Sequence, residues 1–235
     1  MTSEDVREAL GFIGGTGPLG RGLAARWARA GHRVHLGSRS LERAEDAVAD
    51  VRDRIGAGTG EIHAATNEDA VAAAEIVVVA VPYEAQAEAL PPLRDAIGSR
   101  VVVNVVNPMV FDDLGPRALP VAAGSAAEEC QELLPEARVV SAFHDVSSRR
   151  LLRVDEPLVT HVLVCGDNDE AVHRVLHLAG RIDGMWGVRC GPLRNSAYVE
   201  NLTPLLLAVN RRYGIQAGIL IEGIDPDRDL LHPSP

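Results

Sequence analysis

The sequence predicts an α/β protein: a Rossmann-type, doubly wound parallel sheet followed by a small C-terminal α/β extension. Three observations predict it. A glycine-rich turn with the spacing G-x-G-x-x-G at residues 15–20 stands between an apolar run and a helical pattern. Two continuous β-branched runs, EIVVVAV at 75–81 and RVVVNVV at 100–106, read as strands buried on both faces. Helical segments alternate with strands along the first two thirds of the chain, which asks for right-handed crossovers between parallel neighbours.

The elements follow in order. Residues 6–13 form a first strand that runs into the glycine turn, and 19–30 a helix stopped by Gly31. Residues 33–36 are a short strand, and Ser40 caps a helix reaching to 54. A strand at 62–65 and a short helix at 67–74 precede the first buried run, which Pro82 ends. A helix at 84–96 leads into the second buried run, ended by Asn107 and Pro108. Residues 109–124 hold little pattern and make a candidate active-site loop. Ser125 and Glu128 have the spacing of a capping box for a helix to 134. A strand at 139–142 passes into a polar connection at 143–150. Beyond it come a strand (159–165), a helix (170–180), a strand (186–189), a long helix (195–213) and an apolar segment (215–221). The expected division is 1–153 for dinucleotide binding, 154–224 for a smaller C-terminal domain, and 225–235 as a frayed tail.

The glycine turn carries the first chemistry. Gly15 permits a tight turn, Gly17 removes a side chain so that the backbone can approach a diphosphate, and Gly20 lets the helix lie close. The end of the second strand selects the dinucleotide. An NAD site places a carboxylate there for the ribose 2′-hydroxyl. This chain has Ser38 and Arg39, with Arg43 one turn further on. A hydroxyl and two guanidinium groups suit a 2′-phosphate, so the expected cofactor is NADP(H).

Composition narrows the chemistry. The 235 residues include 23 basic residues, all of them arginine, so no mechanism that needs lysine is open to the chain. That excludes the Tyr-x-x-x-Lys dehydrogenases and the β-hydroxyacid dehydrogenases. A net charge of −10 argues against nucleic acid and anionic membrane as partners. No apolar run approaches the roughly 20 residues of a membrane span. Cys130, Cys165 and Cys190 have no metal-type spacing and read as reduced thiols, so the expectation is a cytoplasmic protein without metal. His144 is the one proton donor in reach of the expected nicotinamide, although a histidine in a loop more often serves as a structural hydrogen-bonding group.

Over nearly its whole length the chain resembles the F420-dependent NADP reductases, also called NADPH:F420 oxidoreductases. The residues that carry the resemblance are GGTGPLGRGLA (14–24), LGSR (36–39), VSAFH (140–144), VCGDNDE (164–170) and GPLRNSAYVENLTPLLL (191–207). The resemblance implies an enzyme that moves a hydride directly between NADP(H) and the 5-deazaflavin coenzyme F420, by positioning more than by acid–base groups. It implies that Thr16, Gly17, Pro18 and Leu19 hold the diphosphate, with Gly15 and Gly20 in the same cofactor-binding turn, and that Ser38, Arg39 and Arg43 hold the 2′-phosphate. Val81 and Ala85 line the far side, Asn107 meets the nicotinamide ribose or carboxamide, and Ser148 approaches the nicotinamide. The deazaflavin rests over His144 and Val146, under the loop from Met109 and against the helix after Asn195. A homodimer is implied, and no catalytic residue is obligatory. Asp145 departs from the family's pattern by bringing a negative charge to the deazaflavin side, with Arg149, Arg150 and Arg153 following to offset it. Two other readings fit the scaffold: an NADP(H)-dependent reductase of a flavin or a small imine or carbonyl, and a non-catalytic NADP-sensing module.

Overall fold

The computed structural model describes residues 7–56 and 60–224. The first residue of the expected opening strand and the tail at 225–235 lie outside the described residues. Ten strands are present among the described residues: β1 (Ala9–Ile13), β2 (Arg33–Ser38), β3 (Glu61–Thr66), β4 (Ile76–Val79), β5 (Val101–Asn104), β6 (Met109–Asp112), β7 (Gly115–Ala118), β8 (Arg138–Ser141), β9 (Thr160–Gly166) and β10 (Met185–Arg189). Eight of them make one sheet in the order β10-β9-β8-β5-β4-β1-β2-β3. The parallel pairs β1·β2, β2·β3, β1·β4, β4·β5 and β5·β8 form the doubly wound half. Every residue of β1, β4 and β5 is buried, as expected of central strands covered by helices on both faces.

The sheet is not parallel throughout. β9 joins β8 antiparallel through two residue pairs, Val140 with Gly166 and Ser141 with Cys165, and β10 then runs parallel to β9. A parallel return is usually made by a crossover helix. The connection after β8 holds only a single helical turn (Ser148–Leu151), so the strand comes back in the opposite sense. Beyond the two pairs, the free edge of β9 is met by the C-terminal segment. The His161 N–H donates to the Ile219 carbonyl at 2.7 Å, and the Ile221 N–H donates to His161 Nδ1 at 2.9 Å.

The helices are α1 (Pro18–Arg29), α2 (Leu41–Ile55), α3 (Asn67–Ala72), α4 (Tyr83–Ala89), α5 (Arg94–Ile97), α6 (Ala126–Leu133), α7 (Ser148–Leu151), α8 (Asp169–Gly180), α9 (Ser196–Glu200) and α10 (Leu202–Tyr213). Two expected helices are broken, each by proline. The segment at 84–96 divides into α4, a 3-10 turn (Pro91–Leu93) and α5, because Pro91 and Pro92 have no N–H to give. The segment at 195–213 divides between α9 and α10, since Pro204 cannot donate to the carbonyl of Glu200. The expected irregular loop at 109–124 contains the β6–β7 hairpin, whose strands pair antiparallel and whose β7 packs on α10.

The largest core cluster joins Phe12 and Trp27 of the first half to Val162, Val164 and Leu178 of the second. Arg26 adds a polar tie. It is 5% exposed, and its guanidinium donates to four main-chain carbonyls: Leu151 (2.9 Å), Glu156 (2.8 Å), Arg150 (3.0 Å) and Arg153 (2.6 Å). This fastens α1 to the chain that crosses from β8 towards β9.

Candidate functional site

The glycine turn follows β1, at the carboxyl end of the parallel strands, where open sheets bind ligands. Its left-handed residue is Gly14, with φ of 72°. The Gly14 N–H donates to Asn67 Oδ1 at 3.1 Å, and the Gly15 N–H donates to the Gly37 carbonyl at 3.0 Å, so the turn is held from two sides. A Cβ on Gly20 would stand 2.4 Å from the Gly15 carbonyl oxygen, and one on Gly15 would stand 2.7 Å from Phe12 Cβ. Gly20 therefore lets the helix close on the turn itself. Gly17 is different: a Cβ there would meet nothing within 4 Å. Gly17 is also the N-cap of α1 and supplies no side-chain cap, so the first N–H groups of the helix face open space.

That space is a cleft of about 550 Å³. It is lined by Thr16, Gly17, Pro18, Leu19 and Gly20 of the turn and α1, by Ser38, Arg39 and Arg43 after β2, and by Val81, Ala85 and Asn107 after β4 and β5. Gly15 is absent from the lining, being buried beneath the turn. The Ser38 hydroxyl accepts the Ser40 N–H at 3.2 Å, and Ser40 Oγ caps α2 by accepting the Arg43 N–H at 3.4 Å. Neither Arg39 nor Arg43 has a side-chain partner among the described residues, so two guanidinium groups stand ready for an anion.

A second cleft of about 450 Å³ adjoins the first. His144, Val146, Ser148 and Arg149 come from the connection after β8, while Thr203, Leu207, Asn210 and Arg211 come from α10. Leu19 and Asn107 line both clefts. Ser148, expected beside the rest of the dinucleotide set, stands in this second cleft with His144 and Val146. Asn107 Nδ2 donates to the His144 carbonyl at 3.2 Å. The Thr203 hydroxyl shares its one proton between that carbonyl (2.8 Å) and Asn107 Oδ1 (3.0 Å). Three chain segments thus meet at the residue that divides the two spaces.

The connection after β8 is far less exposed than a polar loop would be. Phe143 is fully buried, packs edge-on to Trp27 at 5.3 Å, and has φ of 64°. Such a conformation costs a bulky residue of order 1–3 kcal/mol and collects at functional sites. His144 is 2% exposed, and its Nε2 lies 2.8 Å from Ser141 Oγ. Burial pushes its pKa down to about 3, so the ring is neutral at physiological pH and has no imidazolium proton to give. Asp145 is 4% exposed and lies outside the lining of the second cleft. Burial pushes its carboxyl up to about 7. The charge expected beside the deazaflavin is therefore turned into the protein. No group of three or more His, Cys, Asp or Glu side chains that could hold a metal ion occurs among the described residues.

The sequence pattern left out Asn67, Thr203, Asn210 and Gln216. Asn67 opens α3 and reaches back to the turn. Thr203 sits in an otherwise apolar helical stretch, and a polar residue there was the available signal. The Gln216 side chain accepts from the Ser147 hydroxyl at 2.7 Å, a contact that only the folded C-terminal segment brings about.

The family model described as NADP oxidoreductase, coenzyme F420-dependent, matches residues 9–108. The F420-dependent NADP reductase of Methanothermobacter thermautotrophicus is 37% identical over 92% of this chain and 95% of its own. That of Methanocaldococcus jannaschii is 34% identical over 87% of this chain and 93% of its own. Among solved structures, one from Arthrobacter sp. FB24 superposes with a TM-score of 0.76 over 92% of this chain and all (100%) of its own at 22% identity, a likeness of fold.

Proposed function

The chain belongs to the F420-dependent NADP reductase family, and from that premise we propose that it transfers a hydride between NADP(H) and coenzyme F420. The carrying observation is the wall shared by the two clefts: Leu19 and Asn107 border both. A reaction that passes a hydride from one ring to another needs two ring-sized spaces in contact, and little else.

The residues of the first cleft suit NADP(H). Open space at Gly17 leaves the backbone N–H groups of Thr16, Gly17 and Leu19 free for a diphosphate. Ser38, Arg39 and Arg43 offer a hydroxyl and two unpaired guanidinium groups to the 2′-phosphate. Val81 and Ala85 give an apolar wall, and Asn107, fixed by His144 and Thr203, orients the nicotinamide end. In the second cleft Val146 and Leu207 give the deazaflavin an apolar seat, with Ser148 near the boundary. The bound coenzymes supply the hydride donor and acceptor carbons, while these side chains hold the rings close and keep water out. His144, neutral and buried, acts as a spacer and hydrogen-bonding group rather than as an acid.

We assign residues 154–224 the task of completing the F420 cleft, since α10 furnishes Thr203, Leu207 and Asn210. A homodimer accords with the exposed Leu205, Tyr213, Ile215 and Leu220 on α10 and the segment after it. The three thiols are free, which suits the cytoplasm. No helix among the described residues is long and apolar enough to cross a membrane.

The experiment is spectroscopic. Purified protein is mixed with NADPH and F420, and loss of deazaflavin absorbance is followed, then repeated with FMN and FAD. Bleaching of F420 supports the proposal. Bleaching of flavin alone would replace it with a flavin reductase, and no turnover with any acceptor would leave a sensor.

A further inference from the structure

The second cleft carries positive charge that hydride transfer does not use. Arg149, after β8, and Arg211, near the end of α10, both line it, and both are exposed at its mouth. Neither has a hydrogen-bond or ion-pair partner among the described residues. Many other arginines are paired, among them Arg21 with Asp50 at 2.9 Å, Arg138 with Glu170 at 3.1 Å and Arg153 with Glu156 at 3.5 Å. With a net charge of −10 there is no shortage of carboxylates to pair with. Yet the two arginines at this rim are left open, as Arg39 and Arg43 are at the 2′-phosphate end of the first cleft. Within the cleft, Val146 and Leu207 are apolar. The space thus offers an apolar seat among neutral polar side chains, with two exposed cations lining it as well, a match for a planar uncharged ring that trails anionic groups.

We propose that Arg149 and Arg211 bind the anionic tail of the deazaflavin, its phosphodiester or the carboxylates beyond it, and so select the complete coenzyme over the bare ring. This rests on the F420 reading of the second cleft. Guanidinium groups bind phosphate and carboxylate through paired N–H donors. Because both are exposed, the attraction is screened by salt.

The test is equilibrium binding by calorimetry, without NADPH, using F420 and the same deazaflavin cut back to its ribityl alcohol. The parent protein binds F420 about tenfold or more tightly than the truncated ring, and rising salt narrows the gap. In the Arg149→Gln/Arg211→Gln double variant the preference falls to within about threefold and its salt dependence flattens. Both side chains are exposed and unpaired, so folding is not at stake, and near-ultraviolet circular dichroism verifies it. A double variant that keeps the parent's preference, or a parent that has none, overturns the assignment. A parent that binds NADPH but neither deazaflavin overturns the functional reading, and the tail assignment with it.

Discussion

The Glu200 carboxylate accepts the backbone N–H of Ala126 at 2.9 Å across 74 residues of sequence, and that of Ala127 at 3.1 Å. These are two of the orphan donors at the start of α6. The local capping box satisfies another, with Ser125 Oγ accepting the Glu128 N–H at 3.0 Å, while the Glu128 carboxylate accepts from that same hydroxyl at 2.9 Å. Glu200→Ala strands two buried donors and is expected to lower stability by about 2 kcal/mol or more. Glu200→Gln, keeping one acceptor, loses roughly half as much. Urea midpoints of the three proteins check this, and a midpoint unchanged in Glu200→Ala refutes it.

Asp145 sets a pH dependence. In the folded protein its carboxyl keeps its proton up to about 7, against an ordinary value of 3.8. Between those values the folded chain binds more protons than the unfolded one, so this group's contribution to stability falls as pH rises through that window and levels off above it. His144, held down to about 3, acts in the opposite sense from there to its ordinary value, so the parent's curve mixes the two. Asp145→Asn isolates the acid: its gain in stability over the parent grows from about pH 4 to about pH 7 and then stays constant. Denaturation at pH 5 and pH 8 measures it, and equal gains at both refute it.

Gly17 and Gly20 separate binding from folding. Gly17→Ala adds a methyl group to open space at a φ of −73° that alanine accepts. The fold is expected to survive while KM for NADPH rises on the order of tenfold. Gly20→Ala drives a methyl group to 2.4 Å from a backbone oxygen and is expected to cost about 1–3 kcal/mol of stability. Thermal melts alongside NADPH kinetics distinguish the two, and a Gly17→Ala protein that melts early refutes the division.

Arg39→Ala is expected to raise KM for NADPH far more than it changes kcat, because the 2′-phosphate binds alike in ground and transition states. Removing a charge-assisted pair predicts a loss of about 1.5–3 kcal/mol, or roughly 10- to 150-fold. The ratio of NADPH to NADH activity falls by the same factor. Equal use of NADH by the parent defeats the assignment of Ser38, Arg39 and Arg43.

The doubly wound half was legible because its signals are local. Val77, Val78 and Val103 sit in unbroken β-branched runs, and Gly20 and Ser40 punctuate the helices that flank them. The breaks at Pro91 and Pro204 were legible too, had the missing N–H groups been counted. The reversal at β8–β9 was not, since no strand's composition records its direction, and the connection before β9 is as long as the one that brings β10 back parallel. At the site, Arg39, Val81 and Asn107 could be placed because strand ends fix position. Arg211 and Gln216 enter from the far end of the chain, and no pattern short of the fold puts them beside His144.

Leu19 and Asn107 border both clefts, which puts the two spaces side by side. A hydride handed across that boundary would go from carbon to carbon, and a carbon-bound hydrogen does not exchange with water. If NADPH carries deuterium at the transferred position, the label is therefore expected to arrive intact on reduced F420 in ordinary water, and unlabelled NADPH in heavy water is expected to deliver protium to the same carbon. Isotopic dilution in either direction would mean that the hydrogen passes through a solvent-exchangeable group and not straight from carbon to carbon.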